Sequence, residues 1–277
     1  MIPIQPNELS GVTQYIHEIS GIFLDKSKSY LLESRLTSVI KENNCKNYSE
    51  LITKAKRDPS KKIERQIIDA ISTNETLFFR DKAPFELLKN KLLPEIIDAR
   101  EAKSKLPPRI RIWSAASSTG QELYSIAITI RELLGPNSKY NFHLLGTDIS
   151  NNAIRQASYG KYNKFEIDRG LGQMELRKYF TNLGDSWKIK DEIRAMVKFQ
   201  KFNLMQPFTA LGKFDIIFCR NVAIYFSLPD RIKLFDKIYN SLEDDGFLII
   251  GSTESLSGVT TKFVPRRHLR SIFYEKR

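Results

Sequence analysis

Four polar segments of the sequence contain side chains that could bind a ligand or take part in a reaction. They are Asn74–Arg80, Ser114–Glu122, a stretch that ends at Asp148, and the pair Arg220–Asn221. The last three follow short apolar runs that are typical of buried strands, whereas the first lies ahead of all such runs. In an open α/β sheet, ligands bind beyond the carboxyl ends of the strands. The sequence therefore predicts that these segments build one ligand site.

The segment Ser114–Glu122 consists mainly of small residues and leads into a predicted helix. Small side chains allow backbone N–H groups and the N-terminus of a helix to approach a ligand closely. The segment is neither a G-x-x-x-x-G-K-[ST] phosphate loop nor the G-x-G-x-x-G loop of dinucleotide enzymes. A tight turn from strand to helix accounts for the same residues equally well.

Two charged residues stand at the ends of predicted strands. Asp148 takes the position at which this fold commonly holds the two ribose hydroxyls of adenosine, although Asp148 or Ser150 could instead cap the next helix. Arg220 follows the apolar run 214–219, with Tyr225 shortly after it. Because arginine is seldom buried without a partner, Arg220 indicates either an anionic ligand or a neighbouring carboxylate.

The segment Asn74–Arg80 allows two interpretations that are compatible with each other. Phe78 and Phe79 could form a hydrophobic plug that anchors a turn against the core. The same plug would then position Asn74, Thr76 and Arg80 over a bound ligand.

The elements that must position these segments alternate between apolar runs and helical patterns. The strand-like runs lie at 109–113, 142–148, 214–219 and 246–251. Such alternation predicts a mostly parallel sheet that is covered by helices on both faces. Two later runs, 262–265 and 271–276, predict a closing antiparallel pair of strands.

Changes in sequence texture predict three parts of the chain. We interpret residues 1–72 as a helical domain, 73–108 as a linker that carries a ligand-contacting segment, and 109–277 as the sheet domain. Between about 160 and 198, mixed segments with several glycines interrupt the alternation. They predict an inserted accessory subdomain.

The composition bounds the class of protein. The chain has 277 residues, of which 41% are hydrophobic and 27% charged, close to the globular average. No stretch approaches the ~20 apolar residues of a membrane span, so we expect a cytoplasmic protein without membrane insertion. The two cysteines, Cys45 and Cys219, lack the paired ligands of a zinc site, and Cys219 is expected to be a buried thiol. The net charge of +12 favours an acidic partner or a solvated, lysine-rich surface.

Much of the positive charge lies near a predicted amphipathic helix, Lys26–Glu42. Lys28 and Arg35 are seven residues apart and share a stripe beside its apolar arc. The stretch 26–65 holds eleven basic and five acidic residues. This pattern fits a docking face for an acidic partner, and a plain solvated face is the competing interpretation.

Six segments in this order resemble the CheR family of chemotaxis receptor methyltransferases. They lie at 73–80, 112–122, 145–150, 202–204, 218–226 and 251–256, so the resemblance runs through most of the chain. It implies a Rossmann-like α/β methyltransferase domain with a small antiparallel β-subdomain insertion, preceded by an all-helical N-terminal domain. It also implies S-adenosylmethionine as the cofactor, S-adenosylhomocysteine as the product, and glutamate side chains of chemoreceptors as methyl acceptors.

The resemblance also implies roles for individual residues. The cofactor pocket would be lined by Asn74, Thr76, Arg80, Glu122, Asp148, Asn203, Leu204, Arg220 and Asn221. Arg80 and Tyr225 would lie nearest the transferred methyl group and are the expected catalytic residues, without a metal. Because receptor methylation regions are helical and acidic, we expect Lys28 and Arg35 to dock them.

The implied partners are the cytoplasmic helical region of chemoreceptors and, at the β-subdomain, a receptor's C-terminal tail, with the enzyme expected to be a monomer. The alternatives are a methyltransferase of another acidic protein or of nucleic acid, and a non-catalytic adaptor. Enzymes that methylate flipped bases usually carry an Asn/Asp-Pro-Pro-Tyr-like segment after the fourth strand. This chain has Arg220-Asn221-Val-Ala there, so we expect no nucleic-acid partner.

Overall fold

A bundle of four helices forms the first part of the chain. In the computed structural model, which describes residues 2–103 and 106–277, these helices are α1 (Pro6–Ser20), α2 (Ser29–Glu42), α3 (Tyr48–Arg57) and α4 (Lys62–Ile71). The helix predicted from Lys26 begins only at Ser29, because Lys26–Lys28 forms a separate 3-10 turn. The apolar arc predicted for α2 is buried in the core of the bundle.

A second helical segment connects the bundle to the sheet. It consists of α5 (Ala83–Leu87), a π-helical turn (Leu88–Leu92) and α6 (Leu93–Lys103). The irregular stretch ahead of α5 is anchored by Phe78, whose fully buried ring packs edge-on against Tyr162 and Phe180 at centroid distances of 5.0 and 5.4 Å. This is the plug that the two phenylalanines predict.

The rest of the chain alternates between strands and helices. The strands are β1 (Arg109–Ala115), β2 (Asn141–Asp148), β3 (Lys161–Asn163), β4 (Phe180–Asn182), β5 (Ser186–Ile189), β6 (Val197–Lys201), β7 (Phe214–Cys219), β8 (Leu242–Ile250), β9 (Phe263–His268) and β10 (Ser271–Lys276). The helices are α7 (Gln121–Leu134), α8 (Asn151–Tyr159), α9 (Lys164–Asp168), α10 (Gln173–Tyr179), α11 (Asp191–Arg194) and α12 (Leu228–Ser241).

Seven strands form the main sheet in the order β6-β2-β1-β7-β8-β10-β9. The first five of these run parallel, whereas β10 pairs antiparallel with both β8 and β9, as predicted for the two runs near the C-terminus. The strand order reverses between β1 and β7, which are hydrogen-bonded neighbours. This topological switch point is where an open α/β sheet opens a crevice for a ligand.

Strand residues alternate between two buried layers. Ile216 and Phe218 point toward α5–α7, whereas Ile217 and Cys219 point toward α12. The thiol of Cys219 is fully buried, as expected. In the part of the chain that the structure describes, no helix has the length and apolar character to cross a membrane.

The predicted insertion lies between α8 and β6. It contains a small antiparallel sheet in the order β3-β5-β4, accompanied by α9, α10 and α11. The chain then rejoins the main sheet at Val197, where β6 pairs with β2. The predicted fold class, an α/β domain with a small antiparallel insertion behind a helical bundle, is thus confirmed.

Candidate functional site

A cavity opens at the carboxyl ends of β1, β2 and β7, and the helical bundle covers it from the opposite side. Its wall includes all twelve residues that are predicted above to bind the cofactor, to act in catalysis or to dock a partner. They are Lys28, Arg35, Asn74, Thr76, Arg80, Glu122, Asp148, Asn203, Leu204, Arg220, Asn221 and Tyr225. These residues come from six separate stretches of chain, and the fold brings them together.

The loop after β1 is a tight turn that also faces the cavity. Ala116, Ser118 and Gly120 adopt left-handed backbone conformations with φ of 61°, 51° and 97°. A side chain at Gly120 would lie 2.9 Å from the Cβ atom of Ala157, so the turn requires glycine. Ser117 also lines the cavity, and its buried Oγ atom has no hydrogen-bond partner among the described residues. The loop is therefore the tight turn that one interpretation predicts, and it lines the cavity, as the other requires.

Asp148 ends β2 and presents a buried carboxylate to the cavity. Its Oδ2 atom accepts a hydrogen bond from the N–H of Ser118, and its Oδ1 atom accepts one from the N–H of Ser150, both at 2.9 Å. Burial raises the pKa of Asp148, and these hydrogen bonds oppose part of that rise. Ser150 caps α8 through its Oγ atom, so capping does not occupy Asp148. Each carboxylate oxygen retains acceptor capacity for a hydroxyl group.

The helical bundle reaches the same site through Asp69, which belongs to α4. The hydroxyl of Ser150 donates to Oδ1 of Asp69 at 2.7 Å, and the N–H of Ser150 donates to Oδ1 of Asp148. Ser150 is therefore hydrogen-bonded to two carboxylates, one from the bundle and one from the sheet. Sequence reasoning missed Asp69, because its partner lies 81 residues away along the chain.

Arg220 is buried, and its two terminal nitrogens pair with acceptors of the chain itself, whereas its Nε atom has no hydrogen-bond partner among the described residues. Its Nη1 atom pairs with Glu122 at 2.8 Å, and its Nη2 atom pairs with Asp81 at 2.7 Å and donates to the carbonyl of Arg80 at 2.9 Å. Glu122 also accepts a hydrogen bond from Ser114 at 2.8 Å. The carboxylate interpretation of Arg220 therefore holds, and Asp81 is a partner that the sequence analysis did not name.

Asn221 turns the chain after β7 with a left-handed φ of 56°. Its N–H donates to Oε2 of Glu254 at 2.7 Å, and the N–H of Gly251 donates to the same oxygen at 2.7 Å. A side chain at Gly251 would lie 2.8 Å from Nδ2 of Asn221. The segment 251–256 therefore fixes the turn that leads to Tyr225.

Asn203 and Leu204 line the opposite wall. The amide of Asn203 donates to the carbonyl of Ile19 in α1 at 3.0 Å and accepts from the N–H of Met205 at 2.9 Å, so it joins the sheet domain to the bundle. Leu204 is buried and forms an apolar wall together with Phe202 and Ile149.

A lysine of α12 holds this wall from behind. Nζ of Lys237 donates to the carbonyl oxygens of Leu204 and, at 3.1 Å, of Gln206. Burial lowers the pKa of Lys237 to about 8. The ammonium group also lies 4.7 Å from the ring centroid of Phe208, which fixes the loop further.

Arg80 and Tyr225 have far fewer partners than the residues described above. The guanidinium of Arg80 makes one long hydrogen bond, 3.3 Å from Nη1 to the carbonyl of Glu75, and no ion pair with any residue in 2–103 or 106–277. Tyr225 is half-buried, and its carbonyl accepts a hydrogen bond from the N–H of Phe23 at 2.8 Å. Both side chains line the cavity with donors that are available to an acceptor.

The two basic residues predicted to dock a partner differ from each other. Arg35 donates from Nη1 to the carbonyl of Ile71 at 2.5 Å and from Nη2 to Thr73 at 3.1 Å, so it fastens the end of α4 to the linker. Lys28 is exposed, and its side chain has no partner within the described part of the chain. Lys28 is therefore free to contact a partner, whereas most of Arg35 is engaged in holding the fold.

The donors and surfaces of the cavity fit a nucleoside. Asp148 offers acceptors for ribose hydroxyls, the wall of Ile149, Phe202 and Leu204 offers an apolar surface for a base, and the loop at Ser117 offers polar atoms. Glycine at position 120 allows this loop to pack closely against α8.

Comparison with known families covers nearly the whole chain. The family described as "CheR methyltransferase, SAM binding domain" matches residues 74–270, and the one described as "CheR methyltransferase, all-alpha domain" matches residues 7–72. The first description confirms S-adenosylmethionine as the cofactor that the resemblance implies, and the nucleoside-like cavity agrees with it.

Curated relatives match over almost their full lengths. A chemotaxis protein methyltransferase of Vibrio parahaemolyticus is 39% identical over 99% of this chain and 98% of its own length. A relative of the same description from Pseudomonas putida is 39% identical over 88% of this chain and 89% of its own length. The corresponding protein of Borreliella burgdorferi is 36% identical over 93% and 91%, respectively.

Proposed function

Because the chain belongs to the CheR methyltransferase family, we propose that it transfers the methyl group of S-adenosylmethionine to glutamate side chains of chemoreceptors, with S-adenosylhomocysteine as the product. One observation carries the choice of acceptor. The half-buried guanidinium of Arg80 lines the cofactor cavity without an ion pair to any described carboxylate, and the neighbouring Glu75 pairs with Arg169 instead. Arginine binds carboxylates through its fork of N–H donors, so a carboxylate substrate completes this arrangement.

In this proposal, the buried residues hold the cofactor. Asp148 accepts hydrogen bonds from the ribose hydroxyls, and Leu204 packs against the adenine ring. The Arg220–Glu122 pair lies deeper in the same wall and keeps the first turn of α7 in place. Asn74, Thr76, Asn203 and Asn221 line the remaining surface of the pocket. Bound S-adenosylmethionine supplies a methyl group on a positively charged sulfur.

The acceptor needs orientation rather than activation. A glutamate carboxylate with an unperturbed pKa of ~4.3 is ionised at neutral pH, so no strong general base is required. Arg80 and Tyr225 hold that carboxylate in line with the methyl group and replace its water. Orientation of this kind can contribute ~7 to 11 kcal/mol in favourable cases.

The net charge of +12 and the exposed Lys28 support an acidic partner. We therefore propose that the helical, cytoplasmic region of a receptor docks beside the cavity, with a cytoplasmic, monomeric enzyme. The three-stranded sheet of the insertion is the proposed contact for a receptor's C-terminal tail.

The test is to incubate the protein with S-adenosylmethionine labelled in the methyl group and with a purified receptor signalling domain. We expect label on the receptor that mild base releases as methanol, since methyl esters are labile to base. A receptor whose acceptor glutamates are replaced by alanine serves as the control. Base-stable label, or label only on nucleic acid or on another acidic protein, would contradict the proposed acceptor.

A further inference from the structure

Two large apolar side chains lie exposed at the mouth of the cavity. Phe23, which follows α1, is 55% exposed, and Ile224, which follows β7, is 56% exposed. Both belong to the wall of the cavity that contains Arg80 and Tyr225. Single exposed apolar residues are common on proteins, but a pair at the entrance of a reaction site indicates a contact surface.

The two residues are held in place although they come from different parts of the chain. The N–H of Phe23 donates to the carbonyl of Tyr225, the residue after Ile224, at 2.8 Å. The turn before Phe23 is fixed by Gly21, whose left-handed φ of 77° brings the chain against Met205 and Phe226. The entrance is therefore a preformed apolar rim and not a loose loop.

Lys28 lies in the wall of the same cavity and is exposed without a partner among the described residues. The rim thus combines two apolar side chains with one unpaired positive charge, and Arg80 provides a second cation further inside. A surface of this composition is complementary to a segment that is acidic overall and apolar at the point of contact.

We infer that Phe23 and Ile224 form an apolar rim that recognises the side chains flanking the acceptor glutamate on a helical substrate. The inference rests on the proposed function, and it specifies which side chains of the receptor helix that site recognises. A glutamate side chain is short, so the substrate helix must approach the rim closely for the carboxylate to reach Arg80. Residues three and four positions from the glutamate share its face of the helix and therefore pack on Phe23 and Ile224.

The first test measures steady-state methylation of the receptor signalling domain by Phe23→Ser and Ile224→Ser. Each variant should raise KM for the receptor about tenfold, because an apolar contact is lost at the centre of the interface. Turnover at saturating receptor and the Kd for S-adenosylmethionine should stay within about twofold, and Phe23→Leu and Ile224→Leu should restore most of the affinity. Ile272→Ser is the matched control, since Ile272 is 55% exposed on β10 and does not line the cavity.

A double-mutant cycle then tests whether Phe23 contacts the residues that flank the acceptor glutamate. Aspartate is placed on the receptor three or four residues from one acceptor glutamate, and this change should impair the wild-type enzyme more than it impairs Phe23→Ser. Additive effects would show that Phe23 does not contact these positions.

The possible failures of this inference are distinguishable. Wild-type KM in both serine variants would overturn the rim while leaving the proposed function intact. Lower turnover with an unchanged KM would assign Ile224 to positioning of Tyr225 and would also overturn the inference. If the wild-type enzyme forms no base-labile ester on the receptor, the proposed function fails, and the inference fails with it.

Discussion

The two ends of the cavity differ in how their polar side chains are satisfied. At the cofactor end, Arg220 contacts two carboxylates and a carbonyl, and Asp148 accepts two backbone N–H groups. At the acceptor end, Arg80 makes one long hydrogen bond, and Lys28 has no partner in the described residues. The protein therefore fixes the groups that we propose to hold the cofactor and leaves unpaired those that we propose to meet the acceptor.

This difference has a physical reason. A buried charge is costly unless it is paired or hydrogen-bonded, so the charged groups deep in the cavity must have partners before any ligand arrives. Groups near the entrance are hydrated in the free protein and exchange that water for the substrate. The buried groups are therefore held in place by partners within the protein, whereas the groups near the entrance gain theirs from the substrate.

The largest effect is expected for Arg220→Met, which removes the central charge of the cofactor end. This change leaves Asp81 and Glu122 facing each other without their shared cation, and removal of one partner of a buried pair typically costs ~3 to 5 kcal/mol. We expect the free energy of unfolding in urea to fall by about 3 kcal/mol, with loss of activity. Arg266→Met is the matched control, because Arg266 pairs with Glu275 on the surface, where such pairs contribute ~0 to 1 kcal/mol. Equal losses in the two variants would remove the distinction between the ends of the cavity.

The acceptor end is tested by Arg80→Ala. Arg80 has no ion pair to lose with any described residue, so the free energy of unfolding should stay within about 0.5 kcal/mol of wild type, as for an ordinary surface substitution. Turnover with saturating receptor should fall about 100-fold, since the acceptor loses a charged hydrogen-bonding partner. Wild-type turnover would exclude Arg80 as a catalytic residue. Arg80→Lys, which keeps the charge but not the fork, should recover only part of the rate.

The smallest of the three effects is expected for Asp148→Asn. Ribose hydroxyls bind the ionised carboxylate more strongly than an amide, so Kd for S-adenosylmethionine measured by calorimetry should rise roughly tenfold. Burial raises the pKa of Asp148, and protonation competes with ribose binding. Wild-type affinity should therefore fall as the pH is lowered through that raised pKa, whereas Asp148→Asn should lack this pH dependence. An unchanged Kd would refute the ribose role.

Much of the fold could be predicted from the sequence because local patterns encode it. The run 214–219 is entirely apolar except for Asp215, and it forms the fully buried strand β7. The pattern of apolar residues likewise predicts helix α7 and the closing antiparallel pair of strands. The start of α2 is predicted three residues too early, because the polar residues Lys26–Lys28 carry no apolar periodicity that could separate their 3-10 turn from the helix that follows.

The candidate site was predictable as a set of residues but not as a network. The polar segments at strand ends and in the linker indicate most of the residues that line the cavity, and the resemblance supplies Asn203 and Leu204. Sequence patterns did not reveal that Asp81 pairs with Arg220 or that Arg35 binds the carbonyl of Ile71. These contacts depend on how the bundle and linker pack on the sheet, and spacing along the chain contains no signal for them.

The contacts of Asp69 with Ser150 and of Asn203 with Ile19 make the helical bundle part of the cofactor pocket. A ligand that binds only when bundle and sheet are docked stabilises that docking by linkage, by ~2.7 kcal/mol at a concentration one hundred times its Kd. In the function proposed above, S-adenosylmethionine and S-adenosylhomocysteine both bind at this seam between the two units. We therefore expect the resistance of the bundle to heat and proteolysis to depend in part on the concentration of these small molecules, although most of the bundle lies away from the cavity.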